Sequence, residues 1–284
     1  MERGTGFEQA GFIKETKRRV ERSTLDFLVK TYAEDFEKRG WEAIPDGMNR
    51  YLESLGVVPV YEKEEDPNFA EQRKRLNTEA GVVISNHPSG YIDVPIILSS
   101  IHREDFRAYV QENVYRGMLD ACTRVFGEKG QRLVSEKLIS NEKAHAKENF
   151  ATALDHVQRG GLLLIHPTGG RERFSKTREL EFSPGFRLLL RNLPEEKMVY
   201  SFCVYPQDLA QNFENQIMAA SRFAGSASEE LISPKLNVNK LRRKVDVRVD
   251  EKYGTVREWK EHASNDIELT DHYWDTYAEF LGES

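Results

Sequence analysis

The stretch Val82–Leu98, V-V-I-S-N-H-P-S-G-Y-I-D-V-P-I-I-L, limits what this chain can become more than any other part of it. Val82, Val83 and Ile84 begin a short buried strand, expected over Val82–Ser85. Asn86, His87, Pro88, Ser89 and Gly90 then make a polar turn that cannot prolong the strand. Asp93 stands where a helix N-cap belongs, and Pro95 falls in the first turn of the helix expected over Pro95–Ile101. His87 and Asp93 are near enough in sequence to meet. A histidine beside a carboxylate is a general base with its tautomer fixed. The same residues also admit a structural reading, with Asp93 as a cap and His87 as a turn residue.

The rest of the chain supplies the frame. From residue 80 onward strand and helix patterns alternate. Strands are expected at Val82–Ser85, Phe106–Gln111, Leu162–Ile165, Met198–Val204 and Lys244–Val249, where Val245, Val247 and Val249 share one face. Helices are expected at Val114–Phe126, stopped by Gly127, at Glu142–Gln158, capped by Asn141, and at Phe186–Arg191. Thr270 is placed to cap a closing helix carrying Tyr273, Tyr277 and Leu281. Such alternation predicts an α/β fold, a mostly parallel mixed sheet flanked by helices on both faces. Earlier, Leu25, Leu28, Tyr32 and Phe36 recur at helical spacing over Thr24–Arg39. Asp46 is expected to cap a second helix that carries Met48, Tyr51, Leu52 and Leu55 and ends at Gly56. This pair of helices either docks on the core or lies on a membrane face. Glu62–Arg75 is charge-rich and reads as a connector. The expected division is an N-terminal helical segment over 1–75 and an α/β domain over 76–284.

Composition narrows the function. A net charge of −6 gives no footprint for nucleic acid. Cys122 and Cys203 are far apart and form no C-x-x-C pair, so both read as core thiols in a reducing cytoplasm. No apolar run approaches the ~18 residues of a membrane span, so any membrane contact is expected to be peripheral.

A second segment carries chemistry. The apolar strand Leu162–Ile165 runs into His166-Pro167-Thr168-Gly169-Gly170-Arg171-Glu172-Arg173. Paired glycines after a strand let the backbone approach a ligand closely. Arg171, Arg173, Lys176 and Arg178 against Glu172 make a local charge of +3 in an acidic chain, a candidate phosphate patch. No G-K-[ST] follows, so this is not a Walker A loop.

Taken together, the two segments resemble the glycerolipid acyltransferase family, which contains lysophosphatidate and glycerol-3-phosphate acyltransferases. Asn86, His87 and Asp93 match its first motif; Pro167, Gly169 and Arg171 match its later one. The lead-in Gln158–Ile165 and the step Phe182-Ser183-Pro184-Gly185 fit the same context, and the resemblance covers about residues 80–250. It implies an acyltransferase with His87 and Asp93 as the catalytic pair. It implies substrate binding by Asn86, Ser89, Gly90, Thr168, Gly169, Gly170, Arg171 and Arg173, with no metal and no cofactor. The donor would be acyl-CoA or acyl carrier protein, and the acceptor a small molecule or lipid.

Two features depart from the family pattern. Five residues, Pro88 to Ile92, separate His87 from Asp93, where the family has four. Thr168 replaces the motif's glutamate. Arg132 and Lys137 are the candidates for the family's second motif, an apolar run ending in a basic residue. The departures keep two other readings open: transfer to a non-lipid acceptor such as an amine or secondary metabolite, and an inactive lipid- or carrier-binding module. A serine hydrolase is disfavoured, because no G-x-S-x-G elbow is present. The basic run Lys240, Arg242, Arg243 and Lys244 reads as a solvated strand end or as a contact for an anionic partner.

Overall fold

The computed structural model describes residues 28–30, 33, 35–54, 56–61, 66–86, 92–167, 183–206 and 245–261. Its strands are β1 (Val57–Tyr61), β2 (Gly81–Ser85), β3 (Phe106–Val110), β4 (Leu138–Ser140), β5 (Leu162–Ile165), β6 (Met198–Pro206) and β7 (Val245–Thr255). Its helices are α1 (Ala43–Ser54), α2 (Pro67–Thr78), α3 (Asp93–Leu98), α4 (Glu112–Phe126), α5 (Glu128–Lys137), α6 (Ala146–Gln158), α7 (Pro184–Asn192) and α8 (Val256–Glu261). The strands form one sheet in the order β1-β7-β6-β2-β5-β3-β4. The five from β6 to β4 run parallel. β7 runs antiparallel to β6, and β1 runs parallel to β7. The fold is therefore α/β with a mixed, mostly parallel sheet, as the alternation predicts.

Side chains alternate across the sheet, and both faces are buried, which is why Val82–Ile84 of β2 and Leu162–Ile165 of β5 are unbroken apolar runs. Val83, Leu162 and Leu164 pack on one face with Ile92, Ile96 and Ile97 around α3 and with Leu76 of α2. Val82, Ile84, Leu163 and Ile165 pack on the other with α6, α7 and α8, through Val157, Phe186, Leu189 and Trp259. Each such aliphatic side chain, fully withdrawn from water, contributes about 1.5–3 kcal/mol. A third cluster joins Val29, Ile44 and Met48 to Ala121, Cys122 and Val134. Leu28, Val29 and Phe36 thus pack with residues of α1, α4 and α5, while Leu25 and Tyr32 lie outside the described residues. Both cysteines are buried and unbridged. No helix among the described residues is long and apolar enough to cross a membrane.

The structure corrects several local expectations. Asp46 does not cap a helix: α1 begins at Ala43, and Asp46 lies in its first turn, accepting from Arg39 Nη1 at 2.7 Å. The supposed connector, Glu62–Arg75, follows an unexpected strand, β1, and itself holds most of α2. Asp66 is the N-cap of α2, its carboxylate accepting from the Asn68 N–H at 2.8 Å, with Pro67 opening the helix. Among the described residues β1 is an edge strand that pairs with β7, which is where Pro59 is tolerated. Asn141 does not cap α6. Its Oδ1 accepts from the Glu112 N–H at 3.0 Å and so closes the start of α4, while α6 begins at Ala146 after a 3₁₀ turn. The helix after β2 spans Asp93–Leu98 rather than Pro95–Ile101. α5 and β4 were not expected. The segment before residue 24, the helix after Thr270 and the basic run at 240–244 lie outside the described residues.

Candidate active site

The carboxyl ends of β2 and β5 are neighbours, with Ile84 opposite Ile165 as the last paired residues. The two motif segments start from there, Asn86 onward from β2 and His166 onward from β5. Their chains then part. α3, after the first segment, packs on the face of Val83 and Leu164. α7, after the second, packs on the face of Ile84 and Ile165. Loops that leave adjacent parallel strands toward opposite faces open a crevice beyond the strand ends, the usual ligand site of open α/β sheets.

Residues 85 and 86 are held tightly at this edge, and both are fully buried. Asn86 Nδ2 donates to the Val204 carbonyl at 2.8 Å, and the Val204 N–H donates to Asn86 Oδ1 at 2.7 Å. The side-chain amide thus extends the β2–β6 ladder one step past its last backbone pair, Ser85 with Phe202. Ser85 Oγ donates to the Asn86 carbonyl at 2.6 Å. Asn86 was expected among the substrate-binding residues; its amide is instead engaged with the backbone of β6.

Asp93 is fully buried and is the first residue of α3. The position before it is Ile92, and no side chain caps this helix. The reading of Asp93 as an N-cap is therefore overturned. Its carboxylate sits in the first turn, the end of a helix where negative charge is stabilised.

On the other side of the crevice, Pro167 is buried, and its carbonyl accepts from the Ser183 N–H at 2.7 Å, so the residues flanking 168–182 are bonded to each other. Ser183 also caps α7, its hydroxyl accepting from the Phe186 N–H at 3.3 Å. Tyr109, opposite Ile165 in β3, is partly buried, and burial pushes its phenol up from the usual range, so it stays protonated near neutrality. His87, Ser89, Gly90, Thr168, Gly169, Gly170, Arg171 and Arg173 lie outside the described residues.

Lys137 does not belong to this edge. It precedes β4 at the amino ends of the parallel strands, donates to the Glu104 carbonyl and covers the Trp41 ring at 4.8 Å. Arg132 is exposed on α5. Sequence reasoning passed over His166, whose Nδ1 lies 3.1 Å from the Ser85 carbonyl oxygen. The signal was there: a histidine directly at the strand exit, next to the motif's Pro167.

A family model described as acyltransferase matches residues 60–206, just over half of the chain. No curated protein matches the chain. Among solved structures, the crystal structure of the 1-acyl-sn-glycerophosphate (LPA) acyltransferase PlsC from Thermotoga maritima is similar in fold, with a TM-score of 0.52 at 14% identity, over 94% of this chain and 96% of that one.

Proposed function

This chain belongs to the acyltransferase family, and from that premise we propose that it moves a fatty acyl group from a thioester donor, acyl-CoA or acyl carrier protein, to the hydroxyl of a glycerol-phosphate-type lipid precursor. One observation carries this reading. The segments bearing His87 and Arg171 follow the adjoining ends of β2 and β5, where Ile84 pairs with Ile165, and the helices after them, α3 and α7, pack on opposite faces of the sheet.

His87 takes the acceptor's hydroxyl proton as its oxygen attacks the thioester carbonyl. Asp93, withdrawn from water in the first turn of α3, orients the imidazole and stabilises its charged form. The tetrahedral adduct expels the thiolate, which takes the proton back from the imidazolium. One C–O bond forms, one C–S bond breaks, and no acyl-enzyme is needed. N–H groups of the turn at 87–90 or of Gly169 and Gly170 would receive the developing oxyanion. Arg171 would hold the acceptor's phosphate.

The test is thiol release from acyl-CoA and acyl-carrier-protein donors against an acceptor panel, with products read by mass spectrometry. His87→Ala should lower turnover by about 10²–10⁴-fold with little loss of fold. Turnover near wild type would end the assignment. Arg171→Ala should chiefly raise the acceptor KM, and an unchanged KM would remove its acceptor role. Thr168, in place of the motif's glutamate, favours a second acceptor class, an amine or secondary metabolite, and the same panel separates the two. No thiol release with any acceptor would favour the binding-module reading.

A further inference from the structure

We propose that His166 is a positioning residue for the transfer reaction, fixing the base-bearing turn to the arginine-bearing turn by a side-chain hydrogen bond between β5 and β2. The inference rests on the function proposed above and adds a residue to it.

The geometry is specific. His166 directly follows Ile165, the last β5 residue paired with β2, and its Nδ1 lies 3.1 Å from the Ser85 carbonyl oxygen. A carbonyl oxygen only accepts, so Nδ1 carries the hydrogen. Ser85 is fully buried, and its hydroxyl donates to the Asn86 carbonyl at 2.6 Å. Asn86 in turn holds the Val204 backbone through both ends of its amide. The two residues before His87 are thus gripped from β5 on one side and from β6 on the other.

The chemistry follows from the grip. The position before Pro167 is aromatic or apolar in the motif this chain resembles, and a hydrocarbon ring has no donor for Ser85. Here that position carries an N–H. The bond joins Ser85 to His166, the residues from which the two motif segments leave, and adds a side-chain tie one step past the last backbone pair, Ile84 with Ile165. A base and an anion-holding group act on the same acceptor only at a defined distance, and a misplacement of about 1 Å can cost on the order of 10²-fold in rate.

The experiment uses the full chain, acyl-CoA as donor and lysophosphatidate as acceptor. His166→Phe keeps a planar ring and removes the donor; it should lower kcat about tenfold or more while the donor KM holds. His166→Asn places an amide N–H close to where Nδ1–H stood, and it should restore most of the lost kcat. The ring ¹⁵N signals of His166 in the wild type should report the Nδ1–H tautomer at neutral pH, which reads the contact even if His166→Phe does not fold. Wild-type kcat in His166→Phe would overturn the proposal. So would a loss in His166→Asn as deep as in His166→Phe, or an Nε2–H tautomer. His87→Ala run alongside separates the two readings: if it is inactive while His166→Phe is unaffected, only this inference fails, and if it keeps turnover, the proposed reaction itself fails.

Discussion

Asn86 is placed where few other residues would serve. It needs a donor and an acceptor a fixed distance apart, one facing the Val204 carbonyl at 2.8 Å and the other the Val204 N–H at 2.7 Å. Aspartate has the shape but only acceptors. Asn86→Asp should leave the Val204 carbonyl facing oxygen in a buried site and cost about 1–3 kcal/mol, measured by urea unfolding. An unchanged midpoint would contradict the assignment. The candidate pair of this turn was legible as a histidine and a carboxylate bracketing a polar break at a strand exit, beside the structural reading of the same residues. The use of Asn86 was not. It depends on β6, more than a hundred residues downstream, and local spacing carries no information about that neighbour. Asp93 fails as a cap for a related reason: α3 starts one residue earlier than a capping aspartate requires.

The elements read from strong periodicity, such as β5, β6 and α4, are present as expected, since an apolar run or stripe leaves a short chain few alternatives. Those missed are the ones whose stability comes from elsewhere. α2 is rich in charge and fixed by its Asp66 cap, by Leu76 in the core, and by Arg73, which pairs with Glu251 of β7. β4 has three residues and exists because β3 offers it a ladder. The β2–β6 contact is close as well as hydrogen-bonded. A Cβ added at Gly81 would lie 2.4 Å from the Met198 carbonyl oxygen, a backbone atom that cannot swing aside. Gly81→Ala should therefore push β2 from β6, cost about 1–3 kcal/mol in thermal or urea unfolding, and lower turnover through the shifted Asn86. Wild-type stability in this variant would mean that the two strands yield more easily than the geometry implies.

Across the whole molecule the two ends of the parallel strands do different work. The amino ends are stapled. Arg103 pairs with Asp105 at 2.6 Å and donates to the Gly160 carbonyl at 2.9 Å, and His156 Nε2 donates to the Leu162 carbonyl at 3.2 Å. Burial is the main cause that holds the His156 imidazole below its ordinary 6.5, against the pull of that carbonyl. The folded state thus binds fewer protons here than the unfolded chain does, so stability present above pH 6.5 is lost as pH falls through and below that value. His156→Gln should flatten this slope in unfolding midpoints measured between about pH 7 and 5, and an unaltered slope would show that other groups set it. At the carboxyl ends, Ser85 and Asn86 are tied to His166 and to β6, and the helices that follow the two motif segments, α3 and α7, pack on opposite faces of the sheet. Much of this plan was legible: the alternation gave the layers, and the order of the two motifs put both at strand exits. The reversed pair β1 and β7 was not, because strand direction is set by long connections rather than by any local pattern. On the proposed mechanism His87 and Asp93 act as one unit, and a double-mutant cycle in the thiol-release assay reads that coupling. His87→Ala with Asp93→Asn should lose no more turnover than His87→Ala alone; losses that multiply, each mutation acting in full on top of the other, would contradict it.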